Sequence, residues 1–320
     1  MKEKIFVISL FAIFLIVGEL FIRVYTKYRI FYDIEMTRYA HALKRNSMNS
    51  LIGHVHKENV KVYLMGVEIK TNFDGLRDNE YSTRKSSKHR ILFLGDSLTL
   101  GWGVEKNQTF EYRLEQKLNE IVPTEIINFG VGNYNTQQEV EAFFEKGKKY
   151  DPDEIVLFYF INDVEITQKK STLAFLSHSY LISFYWSRFR AMLVNLFSVN
   201  NYITYYKTLY EENSPGFEIS KASIIRLKEY CINKGVKLKV VLLPELHNLK
   251  EYPFKHEHNM ILSFLGSQGI TKLDLQPFFS NLKDEPVSLW VALDDAHPNS
   301  RAHALIASYS FDFLAKDIGE

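Results

Sequence analysis

Between residues 91 and 315 short apolar runs alternate with stretches of helical periodicity, and no other feature restricts the fold as much. The runs at 91–94, 125–129, 154–160, 237–243 and 270–275 are interleaved with helical patterns at 109–118, 137–144, 219–231, 258–265 and 300–315. Strands that read as near-continuous apolar segments are covered on both faces, and strand–helix alternation puts them in parallel. The expectation is an α/β fold: a three-layer α/β/α domain with a central parallel sheet of flavodoxin-like type, over residues 88–320. The alternation breaks at 164–215, an aromatic-rich helical stretch too long for an ordinary connection. We read it as an inserted cap over the site.

A second apolar feature lies upstream. Residues 5–18 carry no charge, and after Glu19 the apolar character continues to Ile22. As a helix, 5–22 would span roughly 27 Å, near the roughly 30 Å of a hydrocarbon core. Glu19 lies close enough to its end to reach the interface. No small-x-small cleavage site follows, so residues 1–25 are expected to be an uncleaved, single-pass transmembrane anchor. A single N-terminal anchor most often leaves the bulk of the chain outside the cytoplasm. Flanking charge by itself does not place it there, because Lys2 and Lys4 are outnumbered by Arg23, Lys27 and Arg29. Residues 26–87 are expected to be a stalk, at 26–59, and an upstream segment with a short hairpin around Gly66, leading into a solvated basic linker at 82–90. The remaining composition is that of a folded chain, with 46% apolar and 24% charged residues. A net charge of +1 supplies no field that would gather nucleic acid. Cys231 is the single cysteine, so no intrachain disulfide can form.

In an open parallel sheet ligands bind beyond the carboxyl ends of the strands, so polar residues just past each run take priority. Gly95, Asp96 and Ser97 follow the first run, Gly130 the second, and Asn162 and Asp163 the third; Asp294, Asp295 and His297 stand just before the last helix. Together they supply what acyl transfer needs, which is a hydroxyl nucleophile, an imidazole base with a carboxylate, and donors for an oxyanion. Ser97 is the expected nucleophile and His297 its base, oriented by Asp294, with adjacent Asp295 as a rival or a helix-capping residue. The oxyanion donors are expected to be the N–H groups of Ser97 and Gly130 and the side-chain amide of Asn162. Asp96 and Asp163 are read as structural.

At these residues the sequence resembles the SGNH hydrolase, or GDSL, superfamily. Gly95-Asp-Ser-Leu98 matches its first block, Gly130 the second, Asn162-Asp163 the third, and Asp294-x-x-His297 the last. Residues 71–81 and Gly101-Trp-Gly-Val104 are similar to a membrane-anchored branch of bacterial cell-envelope and exopolysaccharide systems. The third block commonly has glycine two residues before its asparagine; here Phe160 stands there. The resemblance implies a serine-dependent esterase or O-acyltransferase acting on acyl, often acetyl, groups of glycans. It implies no metal and no organic cofactor, and leaves room for a membrane acyltransferase as partner. A non-catalytic envelope scaffold or glycan-binding protein is the alternative.

Other residues invite readings of their own. Arg77 could clamp an anionic group, but a salt bridge fixing the upstream segment is the reading preferred. The pairs His54/His56 and His256/His258 suggest metal at first sight, yet residues two apart on a helix face different ways, and solvent-facing roles are expected. His303 is placed on the surface of the last helix. Tyr180, Phe184, Tyr185, Trp186 and Phe189 form a stripe expected to be core, although Arg188 and Arg190 beside it would suit a membrane-facing cap.

Overall fold

The computed structural model describes residues 2–84, 87–166, 179–197, 202–316 and 318. Positions 85 and 86 of the upstream segment, positions 167–178 and 198–201 of the expected insertion, and the side chain of Arg190 lie outside the described residues. In chain order the elements are α1 (Lys2–Tyr28), α2 (Tyr32–Ala42), β1 (Lys44–Asn46), β2 (His54–His56), β3 (Lys61–Leu64), β4 (Val67–Lys70), β5 (His89–Leu94), α3 (Ser97–Leu100), α4 (Phe110–Leu118), β6 (Thr124–Asn128) and α5 (Thr136–Glu145). There follow β7 (Glu154–Tyr159), α6 (Tyr180–Phe197), α7 (Tyr202–Leu209), α8 (Pro215–Lys234), β8 (Lys237–Leu242), α9 (Lys255–Ser267), β9 (Thr271–Asp274), α10 (Gln276–Ser280), β10 (Trp290–Ala292), β11 (Asp295–Pro298) and α11 (Ser300–Ala315). The chain divides into two compact units, Met1–Leu43 with Gln168–Val199, and Lys44–Thr167 with Asn200–Glu320.

The larger unit is built on a five-stranded parallel sheet in the order β6-β5-β7-β8-β9. Because the chain moves from β5 to β6 on one side and then returns to place β7 on the other, the order reverses beside β5, the topology that opens a crevice at the strand ends. Alternation along each strand sorts the core into two layers. Leu92, Leu94, Ile155, Leu157, Val240 and Leu242 face α5, α8 and α9 through Val140, Phe143, Ile224, Leu227, Ile261 and Leu265. Ile91, Phe93, Val156, Phe158 and Val241 face α4 and α11 through Phe110, Leu114, Leu118, Ile306 and Leu314. The three-layer α/β/α expectation describes this unit. Phe158 packs with Phe93 and Phe110 at ring centroid distances of 4.7 and 4.6 Å. Such contacts are worth about 0.5–1.5 kcal/mol beyond burial, and they make a rigid floor under the strand ends.

The segment expected to be a stalk is folded instead. Of this segment, residues 44–84 belong to the larger unit, where Ile52 and Val55 pack with Val131 and Tyr134. The Tyr134 hydroxyl donates to the His54 carbonyl (2.6 Å), and the Gln138 amide donates to the Ile52 carbonyl (2.6 Å). The hairpin expected around Gly66 is β3 and β4, paired antiparallel. Three histidines expected at the surface are buried, which corrects their reading. His56 contacts the Gly75 carbonyl through Nδ1 (3.2 Å), His258 lies between the Tyr252 hydroxyl and Asp274, and the His303 Nδ1 accepts from the Phe110 N–H (3.0 Å). Burial holds His56 and His303 down at about 3, so both are neutral where they lie.

In the smaller unit α1 contains a 25-residue stretch, Lys2–Thr26, long and apolar enough to cross a membrane. Glu19 on this helix caps α6: its carboxylate accepts from the Ser179 hydroxyl (2.7 Å), the Tyr180 N–H (3.1 Å), the Leu181 N–H (2.9 Å) and Arg23 (2.7 Å). A carboxylate on unsatisfied helix-start amides is favoured by the helix dipole, which gives this charge in an apolar helix its partners. The aromatic stripe on α6 is not core, since Tyr185, Trp186 and Phe189 are exposed. The described residues 179–197 of the expected insertion group with residues 2–43 rather than with the sheet.

Candidate active site

Ser97 is the first residue of α3, placed there by the abrupt end of β5. Asp96 caps the helix, its Oδ1 accepting from the Leu98 N–H (2.8 Å). Ser97 therefore carries one of the amides that a helix start leaves without an intrahelical partner, next to its own hydroxyl. The other Asp96 oxygen accepts from the Asn162 side-chain amide (3.1 Å). One carboxylate thus ties the residue beyond β7 to the turn beyond β5. Burial raises the Asp96 carboxyl above its ordinary range against the pull of these hydrogen bonds and of His297. Asp163 beside it is raised further, by burial and by Asp96, and buried Glu139 is raised by burial, Asp163 and Asp96. These acids form a buried cluster under the loop in which desolvation and mutual repulsion disfavour the charged forms. Phe160 has an extended backbone (φ −125°) that any residue adopts, so the glycine common at that place in the third block is not required here.

His297 stands on β11, whose hairpin with β10 precedes α11. Its Nε2 is 2.9 Å from the Ser97 hydroxyl, within the 2.6–3.2 Å reach of a general base. Its Nδ1 is 2.5 Å from Oδ1 of Asp295, which also accepts the His297 N–H at 3.1 Å. The carboxylate bonded to His297 is therefore Asp295 and not the expected Asp294, for a plain physical reason. Ala292 pairs with Asp295, so Leu293 and Asp294 form the hairpin turn, where Asp294 is exposed while Asp295 is buried. Residues two apart on a strand share a face, and Asp295 and His297 are two apart. Burial pushes the Asp295 carboxyl up, but the bonds and charge of His297 and the Trp102 indole together hold it below the ordinary carboxylate range.

Trp102 is a supporting residue that the sequence named only as part of a motif. Its indole N–H donates to Asp295 Oδ2 (2.9 Å), so the second carboxylate oxygen is also fixed. The loop carrying Trp102 is in turn held by Arg77. That buried guanidinium donates to the carbonyls of Leu100 (3.1 Å), Gly101 (2.6 Å) and Val104 (2.7 Å). Among the described residues Arg77 makes no salt bridge; its hydrogen bonds fix the backbone behind Ser97. Gly103, at φ +75°, lets this loop meet the hairpin, because a Cβ there would lie 2.8 Å from Val291. Asn299 closes the other side, capping α11 at the N–H groups of Arg301 and Ala302 and donating to the Ser288 and Trp290 carbonyls.

Gly130 has a different part from the one expected. Its N–H donates to the Asn128 side-chain oxygen (2.7 Å) and so is spent internally. A Cβ at this position would sit 2.2 Å from the Leu100 nitrogen and 2.5 Å from the Thr99 carbonyl carbon. The missing side chain is what allows the loop after β6 to lie against the backbone of the nucleophile helix.

The profile of the GDSL-like lipase/acylhydrolase family matches residues 93–305, which include Ser97, Trp102, Gly130, Asn162, Asp295 and His297. The chain belongs to that family. GDSL-like enzymes are acyl-ester hydrolases, and the serine, base and carboxylate described above are arranged for that chemistry. Among solved structures the GDSL-like chain is similar to a catalytic mutant of the acetylxylan esterase Axe2 from Geobacillus stearothermophilus, with 14% identity, coverage of 72% of this chain and 95% of that one, and a TM-score of 0.46. It is also similar to the psychrotrophic esterase EstA from Pseudoalteromonas (13% identity, 73% and 100% coverage, TM-score 0.45). A third likeness is to a member of the lipolytic G-D-S-L family from Veillonella parvula (12% identity, 71% and 98% coverage, TM-score 0.42). No curated protein matches the chain significantly.

Proposed function

We propose that this protein is a serine-dependent enzyme that removes or transfers acyl groups, chiefly acetyl, on cell-envelope or extracellular glycans. The observation that carries the reading is the contact of the Ser97 hydroxyl with His297 Nε2 at 2.9 Å while Asp295 holds Nδ1 at 2.5 Å. Oγ attacks the ester carbonyl as its proton passes to Nε2. The oxyanion forms beside the Ser97 N–H and the second amide hydrogen of Asn162, the first being held by Asp96. His297 then protonates the departing sugar oxygen, leaving an acyl-serine. Water discharges that intermediate in hydrolysis and a second sugar hydroxyl discharges it in transfer, with His297 again as base.

The long apolar stretch of α1 supports membrane anchorage, and the exposed Tyr185, Trp186 and Phe189 of α6 suit a lipid interface. The catalytic unit is placed outside the cytoplasm in this reading, where acylated glycans are found. Mass spectrometry of envelope glycans from cells carrying wild type or Ser97→Ala tests it. Higher O-acetyl content in the variant means hydrolysis, lower content means transfer, and identical glycans would sink the substrate assignment.

A further inference from the structure

A second carboxylate–imidazole pair stands at the same end of the sheet, in the loop that follows β8. Glu245 and His247 are two residues apart, like Asp295 and His297, and are joined in the same way. The Glu245 carboxylate accepts the His247 N–H at 3.1 Å and also receives Nδ1. Glu245 is buried, whereas the His247 side chain is 45% exposed. The imidazole is flanked by two aromatic rings, Trp290 at 4.8 Å and Tyr202 at 5.2 Å between centroids. Trp290 begins the hairpin that carries His297, pairing with Pro298, and its indole N–H donates to the Leu246 carbonyl (3.0 Å). The loop and the catalytic hairpin are thereby locked together, and Asp295 lies near enough to act on the His247 charge along with Glu245.

We infer that His247, with Trp290 and Tyr202, forms a subsite beside Ser97 that binds a neutral, hydroxylated sugar ring of the acylated substrate. The inference rests on the reading of Ser97 as the nucleophile and names which part of the substrate is held next to it. Three chemistries could be asked of such a site, and charge and shape separate them. An anionic group would meet two carboxylates, Glu245 and Asp295, against one imidazole. A long acyl chain would need an apolar groove, and here the wall carries an imidazole edge, a phenol and a fixed carboxylate. A pyranose presents C–H faces that stack on aromatic rings and hydroxyls that both donate and accept. Nδ1 is committed to Glu245, so the ligand meets Nε2, which among the described residues makes no hydrogen bond. A hydroxyl satisfies Nε2 in either protonation state, accepting from imidazolium and donating to imidazole.

The test compares His247→Ala, His247→Gln and Tyr202→Ala with wild type in the full-length chain. Steady-state rates are measured on 4-nitrophenyl acetate and on acetylated xylo- and chito-oligosaccharides. We expect wild-type kcat/KM to be higher on at least one acetylated oligosaccharide than on the small ester. The Ala variants should lose on the order of tenfold more on that saccharide than on the small ester, as for one hydrogen bond or one stacked ring, mainly through KM. His247→Gln, which retains an N–H donor, should recover part of the loss. Equal losses on both substrates, losses on neither, or wild-type preference for the small ester would overturn the subsite. Absence of wild-type turnover on every ester would instead overturn the catalytic reading beneath it.

Discussion

Replacing Asp295 by Asn changes one atom of the site and should remove almost all of its activity. The buried carboxylate accepts three hydrogen bonds: from His297 Nδ1 (2.5 Å), from the His297 N–H (3.1 Å) and from the Trp102 indole (2.9 Å). An amide has one acceptor end. The indole can only donate, so the Asn oxygen is drawn to Trp102 and the NH2 group is turned to His297. Nδ1 must then accept, the ring proton moves to Nε2, and the lone pair that should take the Ser97 proton is gone. Wrong-tautomer imidazoles in triads cost about ten-thousand-fold in turnover, equal to about 5.5 kcal/mol of barrier. The His297 N–H is also left facing a donor, a loss of about 1–3 kcal/mol in stability. Asp294→Asn, in the exposed hairpin turn, should stay within about threefold of wild type, as expected of a surface change. The assay is turnover of 4-nitrophenyl acetate, with thermal unfolding to show that both variants are folded. If Asp294→Asn loses as much as Asp295→Asn, or if Asp295→Asn stays within tenfold of wild type, the assignment of the orienting carboxylate is wrong.

Three other outcomes follow from the same structure. Asn162→Ala should lower kcat by about 10² to 10³, the effect of one oxyanion donor, with KM little changed; a change confined to KM would assign Asn162 to substrate binding instead. The buried histidines should each weaken the fold in acid, because burial holds His56 and His303 down at about 3. The unfolded chain takes up these two protons near pH 6.5 and the folded chain does not, so each histidine withdraws about 1.4 kcal/mol per pH unit as pH falls below 6.5. Burial also lifts Glu111 to about 8 and raises Asp163 and Glu139; the stabilisation from these acids is largest in acid and fades as pH rises, so they oppose the histidines. The imidazole contribution is therefore read as a difference: in denaturant titrations between pH 6.5 and 5, wild type should lose about 1.4 kcal/mol per pH unit relative to His303→Asn, and identical pH slopes in the two proteins would contradict a buried, neutral His303. Finally, protease added to spheroplasts should digest the catalytic unit while the protein stays in the membrane fraction; complete protection would reverse the proposed orientation.

The sheet was legible because strands buried on both faces leave continuous apolar runs, and each of the five expected runs overlaps one of the strands β5 to β9. The place of Ser97 was legible for a related reason, as a polar residue just past such a run lies at the end of the sheet; His297 stood out by its place just before the last helix. Asp295 was obscured by its neighbour: an Asp-Asp pair reads ambiguously until the two-residue hairpin turn is known, after which strand alternation selects the residue two before the histidine. Gly130 was placed correctly in space and assigned the wrong task, since the acceptor on its N–H is the side chain of Asn128. The buried histidines escaped notice because imidazole is both polar and able to be neutral, and sequence does not say which a site will use. The grouping of α6 with α1 depends on Glu19 meeting helix-start amides some 160 residues away, a long-range contact without periodic signature.

The central claim is that Ser97 is the nucleophile, activated by His297. It is tested most directly by treating the full-length protein with a fluorophosphonate and locating the adduct by peptide mass spectrometry. The account expects one phosphonyl group, on Ser97, with labelling abolished in Ser97→Ala and slowed by several powers of ten in His297→Ala. Labelling at another residue, or an unmodified Ser97 in folded wild-type protein, would contradict it.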